Sequence, residues 1–341
     1  MSSTGYRNRN AGFRSGFCSL ANPADSHARC TGTDGKRPCI CECHQEGPAL
    51  PTTITEPGVY PDLPAEVYHA QKDWLSWSQM KHLIPPSTPA HFKAALDAPE
   101  EHKRHFDLGK VVHTLTLGDG EEYVVVQALT RSKEPYDATS YDLVSAQRHR
   151  DEIYAEGKVP ILRHELEAAQ AMADSVKRHP IAKALLSNGR PEVSLFWIDP
   201  ATGVKCRARP DWLPNKVDGR RTIVPDLKSA VSAAPTEFAK AAANFGYYGQ
   251  HQHYLDGIQA LDLGNDPAFL FIVAEKAKPH LVSVDHFADP DDLRLARVVV
   301  DHCRRLYAEC VATDSWPGYG DGINTISLPK WLHYSLEEIV A

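Results

Sequence analysis

Two carboxylates and one amine lie on neighbouring strand candidates near the middle of the chain, and they constrain its fold more than any other feature. The first strand candidate ends at Asp211, and a loop containing proline and glycine separates it from a second candidate at residues 223–228. Because side chains alternate faces along a strand, Asp226 and Lys228 are predicted to share one face while Leu227 turns to the opposite, buried face. The connecting turn is predicted to bring Asp211 beside Asp226.

This set of residues suits a divalent metal ion and a phosphodiester substrate. Magnesium prefers oxygen ligands in octahedral geometry and retains several waters, so Asp211 and Asp226 can hold it while a phosphate and a water occupy other positions. The ion lowers the pKa of that water, and Lys228 adds a positive charge that orients or deprotonates it. A surface hairpin with an ordinary Asp–Lys pair is the competing interpretation, and the surrounding sequence argues against it.

More candidate residues precede and follow this pair of strands. Glu192 begins a strand candidate that pairs through a turn with the strand leading to Asp211, so its carboxylate is expected to face the same site. Tyr247, Gln250 and Tyr254 fall at i, i+3 and i+7 of a helix candidate, and this polar and aromatic stripe suits contact with a nucleic-acid backbone. Packing against the core is the alternative use of such a stripe.

A basic strand and one histidine complete the candidate residues of the core. Lys205, Arg207 and Arg209 recur at a period of two and are predicted to form a local DNA-binding patch together with Tyr247, with a solvated sheet face as the alternative. His113 lies on an apolar helix candidate, where a buried and hydrogen-bonded core histidine is the default interpretation.

Taken together, these residues resemble the PD-(D/E)xK nuclease superfamily, and within it the RecE-like branch of phage exonucleases of the exonuclease VIII type. The resemblance extends over about residues 57–333. Flanking segments at residues 75–78, 87–92 and 316–319 support the narrower match. The implied fold is α/β, a restriction-endonuclease-like core in which helices flank a mixed central sheet. Pro225 departs from the family pattern, and because proline removes a ladder donor, we expect a bulged or locally unpaired strand there.

The resemblance also implies roles for individual residues. The implied catalytic set consists of Glu192, Asp211, Asp226, Lys228, Gln250 and Tyr254. His113, Asp211 and Asp226 would ligate Mg²⁺ or Mn²⁺ with help from Glu192, and Lys228 would serve the attacking water.

The activity implied by this resemblance is digestion of one strand of linear double-stranded DNA from its ends. Similar enzymes work from 5′ to 3′, leave 3′ single-stranded tails for a single-strand annealing recombinase, and form rings around DNA. A phage or prophage protein in a bacterial cytoplasm is therefore expected. Two alternatives remain: an endonuclease on the same core, and a non-catalytic DNA-binding adaptor that carries a zinc module.

Composition divides the chain into three zones. Residues 1–46 form a Cys/His-rich module, residues 47–61 a proline-rich linker, and residues 62–341 the exonuclease domain. Five of the eight cysteines fall in the first zone, and in a cytosolic protein such clustering favours structural zinc over disulfides. The predicted ligands are Cys18, Cys30, Cys39 and Cys43, with His27, Cys41 and His44 as competitors.

The remaining features exclude some classes of protein. The sequence has no apolar run of ~18 residues and no signal-peptide core, so a soluble cytosolic protein is expected. A formal charge of −7 argues against a generally basic nucleic-acid binder, although the field near DNA is set locally. Cys206, Cys303 and Cys310 permit an iron–sulfur cluster but are more simply core residues.

Overall fold

The computed structural model of the protein describes residues 52–98 and 104–340. The predicted Cys/His-rich module at residues 1–46 lies outside the described residues, and so does the first part of the predicted linker. The chain divides into two compact units, residues 1–54 and 55–341, and the second unit holds the elements described below.

Short strands alternate with helices along the second unit. The strands are β1 Gly58–Tyr60, β2 Tyr123–Val125, β3 Gln127–Leu129, β4 Pro135–Asp137, β5 Val159–Ile161, β6 Gly189–Pro191, β7 Ser194–Ile198, β8 Lys205–Ala208, β9 Trp212–Pro214, β10 Ile223–Ala230, β11 Ala268–Glu275 and β12 Val282–Asp285. The α-helices are α1 Ala65–Ala70, α2 Trp77–Met80, α3 Pro89–Asp97, α4 Asp107–Leu117, α5 Val144–Ala155, α6 Arg163–Arg178, α7 Pro180–Leu185, α8 Pro235–Phe245, α9 Tyr247–Ala260, α10 Pro290–Thr313 and α11 Lys330–Val340.

The strands form several small sheets rather than one broad sheet. The central sheet has the order β10-β11-β12, with β10 parallel to β11 and β12 antiparallel to β11. A second three-stranded sheet has the order β1-β7-β8, and the remaining strands pair as β2-β5, β3-β4 and β6-β9. The predicted α/β architecture with a mixed sheet is therefore observed, divided into smaller units.

Helices cover both faces of the central sheet. Leu227 and Ile272 join Val111 of α4 and Met172 of α6 in one apolar cluster. Phe271 and other residues of the opposite face join a larger cluster whose members include residues of α2, α8, α9 and α10. This layering follows from the alternation of buried side chains along β10 and β11.

Two expectations for the site strands are corrected. The strand predicted to end at Asp211 ends at Ala208 in β8, and the chain bends before β9 begins at Trp212. Pro225 neither bulges nor interrupts its strand, because the register of β10 with β11 is continuous from Ile223 to Ala230. β10 lies at the edge of its sheet, where a missing ladder donor is tolerated.

The cysteines of the described region belong to the protein interior. Cys206, Cys303 and Cys310 are all buried and unbonded, and the first two lie in the larger apolar cluster. The core interpretation of these residues therefore holds. None of the described helices is long and apolar enough to cross a membrane.

Candidate active site

Strand β10 presents Asp226 and Lys228 on one face, as their spacing predicts. Asp226 is almost completely buried, and its Oδ2 lies 2.5 Å from the Nζ of Lys228. Gln250 of α9 donates from Nε2 to the other carboxylate oxygen of Asp226 at 2.8 Å. Leu227 points into the core on the opposite face. One carboxylate oxygen of Asp226 therefore accepts a hydrogen bond from Gln250, and the other forms an ion pair with Lys228.

The backbone of Leu227 fixes two further side chains at the open edge of β10. Its N–H donates to Oδ2 of Asp211 at 2.6 Å, and its carbonyl lies 2.7 Å from Nε2 of His113. Because a carbonyl only accepts, Nε2 of His113 carries a proton, and in the neutral tautomer Nδ1 is the nitrogen with the free lone pair. That Nδ1 lies 3.6 Å from Oδ2 of Asp211. One edge residue thus orients a histidine nitrogen and a carboxylate toward the same point.

Glu192 approaches this point from the residue pair between β6 and β7. Its backbone is left-handed, with φ of 51°, which a residue with a Cβ adopts only when its surroundings impose it. The Glu192 N–H donates to the Asp211 carbonyl at 3.2 Å, and the Glu192 carbonyl accepts from Nε of Arg209 at 2.8 Å. These bonds hold the Glu192 side chain beside Asp211.

His113, Glu192 and Asp211 each offer one ligand atom, and the three atoms lie within 4.8 Å of one another. We call these three residues the ligand cluster. A neutral imidazole nitrogen and two carboxylates are a donor set that Mg²⁺ or Mn²⁺ accepts. The sequence prediction named Asp226 as a ligand with Glu192 assisting, whereas the structure groups Glu192 with His113 and Asp211. Asp226 lies beside this cluster, engaged by Lys228 and Gln250.

The electrostatics of the site favour a bound cation. Burial and the neighbouring Asp211 carboxylate raise the pKa of Glu192 to about 8. The same two causes raise the pKa of Asp226 to about 6, against the opposing charge of Lys228. Burial lowers the pKa of Lys228, but the Asp226 and Asp211 carboxylates outweigh it, so the net shift is upward. A divalent ion would relieve the repulsion between these carboxylates.

The remaining predicted catalytic residues are brought into the same region by α9. The Tyr254 hydroxyl donates to the Arg209 carbonyl at 3.3 Å, next to the bend that carries Asp211. The ring of Tyr247 is half-buried and lies 4.8 Å from Nζ of Lys228, so it covers the lysine. The stripe at i, i+3 and i+7 therefore packs against the site.

The predicted basic patch is not a single exposed surface. Lys205 points outward and pairs with Asp73 at 3.1 Å. Arg207 is buried against the ring of Tyr68, at 4.7 Å, and bonds to the Tyr68 carbonyl. Arg209 lies half-buried between Glu192 and the Tyr68 ring. The three side chains do not share one exposed face, because Tyr68 of α1 packs against Arg207 and Arg209, and their contact with DNA stays a prediction.

A buried ionic network behind the site was not predicted from the sequence. The Nη1 of Arg304 in α10 donates to Asp199 at 3.1 Å and to Asp256 at 2.7 Å. Its Nη2 lies 2.9 Å from Nδ1 of His253, whose Nε2 in turn lies 3.0 Å from the Arg207 carbonyl. These residues are far apart in the chain, so no local spacing points to the network.

Comparison with known families places this geometry in context. The model of a PDDEXK-like domain of unknown function, DUF3799, matches residues 76–329. The chain belongs to this family. The predicted PD-(D/E)xK superfamily is therefore confirmed, over nearly the range in which the sequence resembled it.

The PDDEXK-like chain also shares its fold with a solved structure. The crystal structure of a "putative exonuclease" from Eubacterium rectale is similar to it with a TM-score of 0.50 and 14% sequence identity. The match covers 78% of this chain and 96% of the other. No curated protein matches the sequence. At this level of identity the neighbour supports the fold alone.

Proposed function

We propose that the protein is a divalent-metal-dependent exodeoxyribonuclease that degrades one strand of linear double-stranded DNA. The observation that carries this proposal is the ligand cluster of His113, Glu192 and Asp211, which lies beside Asp226 and Lys228 in a PDDEXK-like fold. Mg²⁺ or Mn²⁺ bound there would polarise the phosphate and lower the pKa of the attacking water.

The residues of the chain divide the remaining work. His113 presents Nδ1 to the metal position because the Leu227 carbonyl holds its Nε2–H. Lys228 remains protonated because its pKa is raised by the Asp226 and Asp211 carboxylates, although burial lowers it. It therefore donates a hydrogen bond that orients water or phosphate instead of accepting a proton. Gln250 keeps the Asp226 carboxylate aimed at Lys228.

The finer parts of the proposal come from the resemblance to RecE-like exonucleases. We propose digestion from 5′ to 3′, with 3′ single-stranded tails passed to a single-strand annealing recombinase, by a ring-shaped homo-oligomer. A phage or prophage origin belongs to the same proposal, and the clustered cysteines of residues 1–46 add a structural zinc ion to it.

The decisive experiment uses linear, nicked and covalently closed circular DNA in one reaction with Mg²⁺. An exonuclease removes linear duplex progressively and leaves closed circles intact, whereas an endonuclease linearises the closed circles. Loss of an end label shows the polarity, and digestion from the 3′ end would contradict the proposed direction. Survival of all three substrates would point to the DNA-binding adaptor and overturn the enzymatic proposal.

A further inference from the structure

A pocket of about 310 Å³ opens beside the ligand cluster. Glu192, Gln250 and Tyr254 line the part of the pocket that belongs to the candidate active site. This volume lies at the lower end of the range of pockets that enclose small ligands. A group bound in the pocket therefore lies next to the point at which a scissile phosphate would be held.

The polar wall of this pocket is positively charged. Lys81 and Arg209 line it together with the buried Arg207, and Glu192 of the ligand cluster is the one carboxylate among the lining residues. Such a concentration of cations attracts an anionic ligand even though the whole chain carries a formal charge of −7. The charge therefore matches a phosphate-bearing group.

The rim of the pocket carries an exposed aromatic ring at the end of α8. Phe245 lines the pocket and is 59% exposed. Its ring centroid lies 5.7 Å from that of Tyr247, at an angle of 32°. Tyr247 in turn stacks on Phe238 at 5.9 Å and lies 5.8 Å from Phe271 in the core. The exposed ring is thus the outer member of an aromatic column anchored in the core.

The backbone fixes the position of this column. Gly246 joins α8 to α9 in a left-handed conformation, with φ of 74°, and a Cβ there would approach Trp77 to 3.3 Å. A single exposed apolar side chain is ordinary on a protein surface. Phe245 differs because it lines the same pocket as Lys81, Arg209 and Glu192, the last of which belongs to the ligand cluster. Cations that track phosphates and aromatic rings that stack bases are the two components of single-strand binding sites.

We propose that Phe245 is a nucleobase-stacking residue, which holds the base of a nucleotide adjacent to the scissile phosphate. Lys81 and Arg209 face the phosphate of the same nucleotide. This inference rests on the proposed nuclease function and specifies how its substrate is held. A pocket of about 310 Å³ has room for one base but not for a base pair, so we expect it to take a single-stranded end or a terminal nucleotide separated from its complement.

The first test combines Phe245→Ala with abasic substrates. Loss of one base–aromatic stack is worth roughly 5- to 150-fold in affinity, so we expect Phe245→Ala to raise KM by such a factor with kcat nearly unchanged. A tetrahydrofuran abasic residue at the stacked position should raise the KM of the wild-type enzyme by a similar factor. On this abasic substrate, Phe245→Ala should raise KM little further. Phe245→Trp should restore most of the loss. Phe106→Ala is the matched control, since Phe106 is 55% exposed and does not line the pocket.

The second test measures stacking without cleavage. Oligonucleotides with 2-aminopurine at each of the first three positions from the end are mixed with protein in the presence of a chelator. We expect the wild type to quench the fluorescence at one position and Phe245→Ala to abolish that quenching.

Quenching without any DNA cleavage in Mg²⁺ would leave the pocket assignment intact and refute the nuclease. Equal KM effects of Phe245→Ala on intact and abasic ends, or equal quenching by both proteins, would overturn the pocket assignment.

Discussion

At the scale of single residues, Lys228 has a role that its surroundings define. Its ammonium lies 2.5 Å from Asp226 and under the ring of Tyr247, and both neighbours favour the protonated form. A lysine that stays protonated acts through its charge and its donor hydrogens. The spacing of Asp226 and Lys228 was enough to predict that they share a face, but the protonation state depends on burial that spacing does not show.

Lys228→Met should therefore lower the rate of DNA cleavage at least ~10²-fold, the lower end for a positioned catalytic group. The methionine keeps most of the side-chain volume, so the protein should remain folded by circular dichroism. Lys240→Met is the matched control, because Lys240 is an exposed lysine of α8 paired with Glu237. Activity of Lys228→Met within twofold of the wild type would remove Lys228 from the catalytic set.

Glu192→Gln should change the pH dependence of stability in the metal-free protein. Burial and Asp211 raise the pKa of Glu192 to about 8 from the ordinary 4.5. Between pH 4.5 and about 8 the folded state therefore keeps a proton on Glu192 that the unfolded state releases. The contribution of this proton to the free energy of unfolding is fully present below pH 4.5 and is lost as pH rises to about 8. The Tm of Glu192→Gln relative to wild type should increase from acidic pH to above pH 8 in chelator. A constant difference across that range would contradict the raised pKa, and Glu237→Gln serves as the exposed control.

At the scale of elements, helix α9 joins the strands that form the site. Gln250 bonds to Asp226 in β10, His253 to the Arg207 carbonyl in β8, and Tyr254 to the Arg209 carbonyl beyond β8. Arg304 of α10 holds α9 from the other side through His253 and Asp256. The bend between β8 and β9 carries Asp211, and α9 holds it in place. Its position therefore also depends on the contacts that Arg304 of α10 makes to α9.

Removing Arg304 should destabilise the protein strongly. Arg304→Met leaves the buried carboxylates of Asp199 and Asp256 without their shared partner, and breaking a buried ion pair typically costs about 3–5 kcal/mol. Urea denaturation should show that loss in the free energy of unfolding. Arg305→Met is the matched control, because the neighbouring arginine is exposed and should change stability by less than about 0.5 kcal/mol. Equal effects of the two substitutions would show that the network is not stabilising.

The edge of β10 explains both a successful and an unsuccessful prediction. The N–H and C=O of Leu227 point to the open edge, where they bond to Asp211 and His113. Pro225, two residues earlier, points to the same edge, so its missing donor interrupts no bond to β11. Strand alternation was predictable from the sequence, but which edge of the strand stays open depends on the whole sheet.

At the scale of the whole molecule, the order of the candidate residues carried more information than any one motif. It predicted the PDDEXK-like fold and a site that joins residues of α4, β10 and α9. It did not predict that α1 packs over Arg207, nor did it predict the ionic network around Arg304. Both features depend on contacts between residues more than 100 positions apart, such as Arg207 with Tyr68 and Arg304 with Asp199. Periodicity describes one element at a time, and these contacts involve several.

The unit boundary after Ile54 allows a test of the amino-terminal module. We predict that a protein lacking residues 1–50 keeps its cleavage of DNA ends within about threefold, because the site residues all lie beyond the boundary. The full-length protein should carry about one zinc ion per chain and the truncated protein none, since clustered thiolates bind zinc tightly. Inactivity of a folded truncated protein would show that the module takes part in catalysis. Full-length protein without zinc would contradict the zinc assignment.

The central claim is that the ligand cluster and its neighbours form a metal-dependent nuclease centre. The most direct measurement is the rate of release of nucleotides from end-labelled linear duplex by the wild type, Asp211→Asn and Asp226→Asn, each with Mg²⁺ and with chelator. We predict release by the wild type in Mg²⁺ alone, and a loss of at least ~10²-fold in both variants, whose folding by circular dichroism is unchanged. Wild-type release in chelator, or undiminished release by Asp211→Asn in Mg²⁺, would contradict the account.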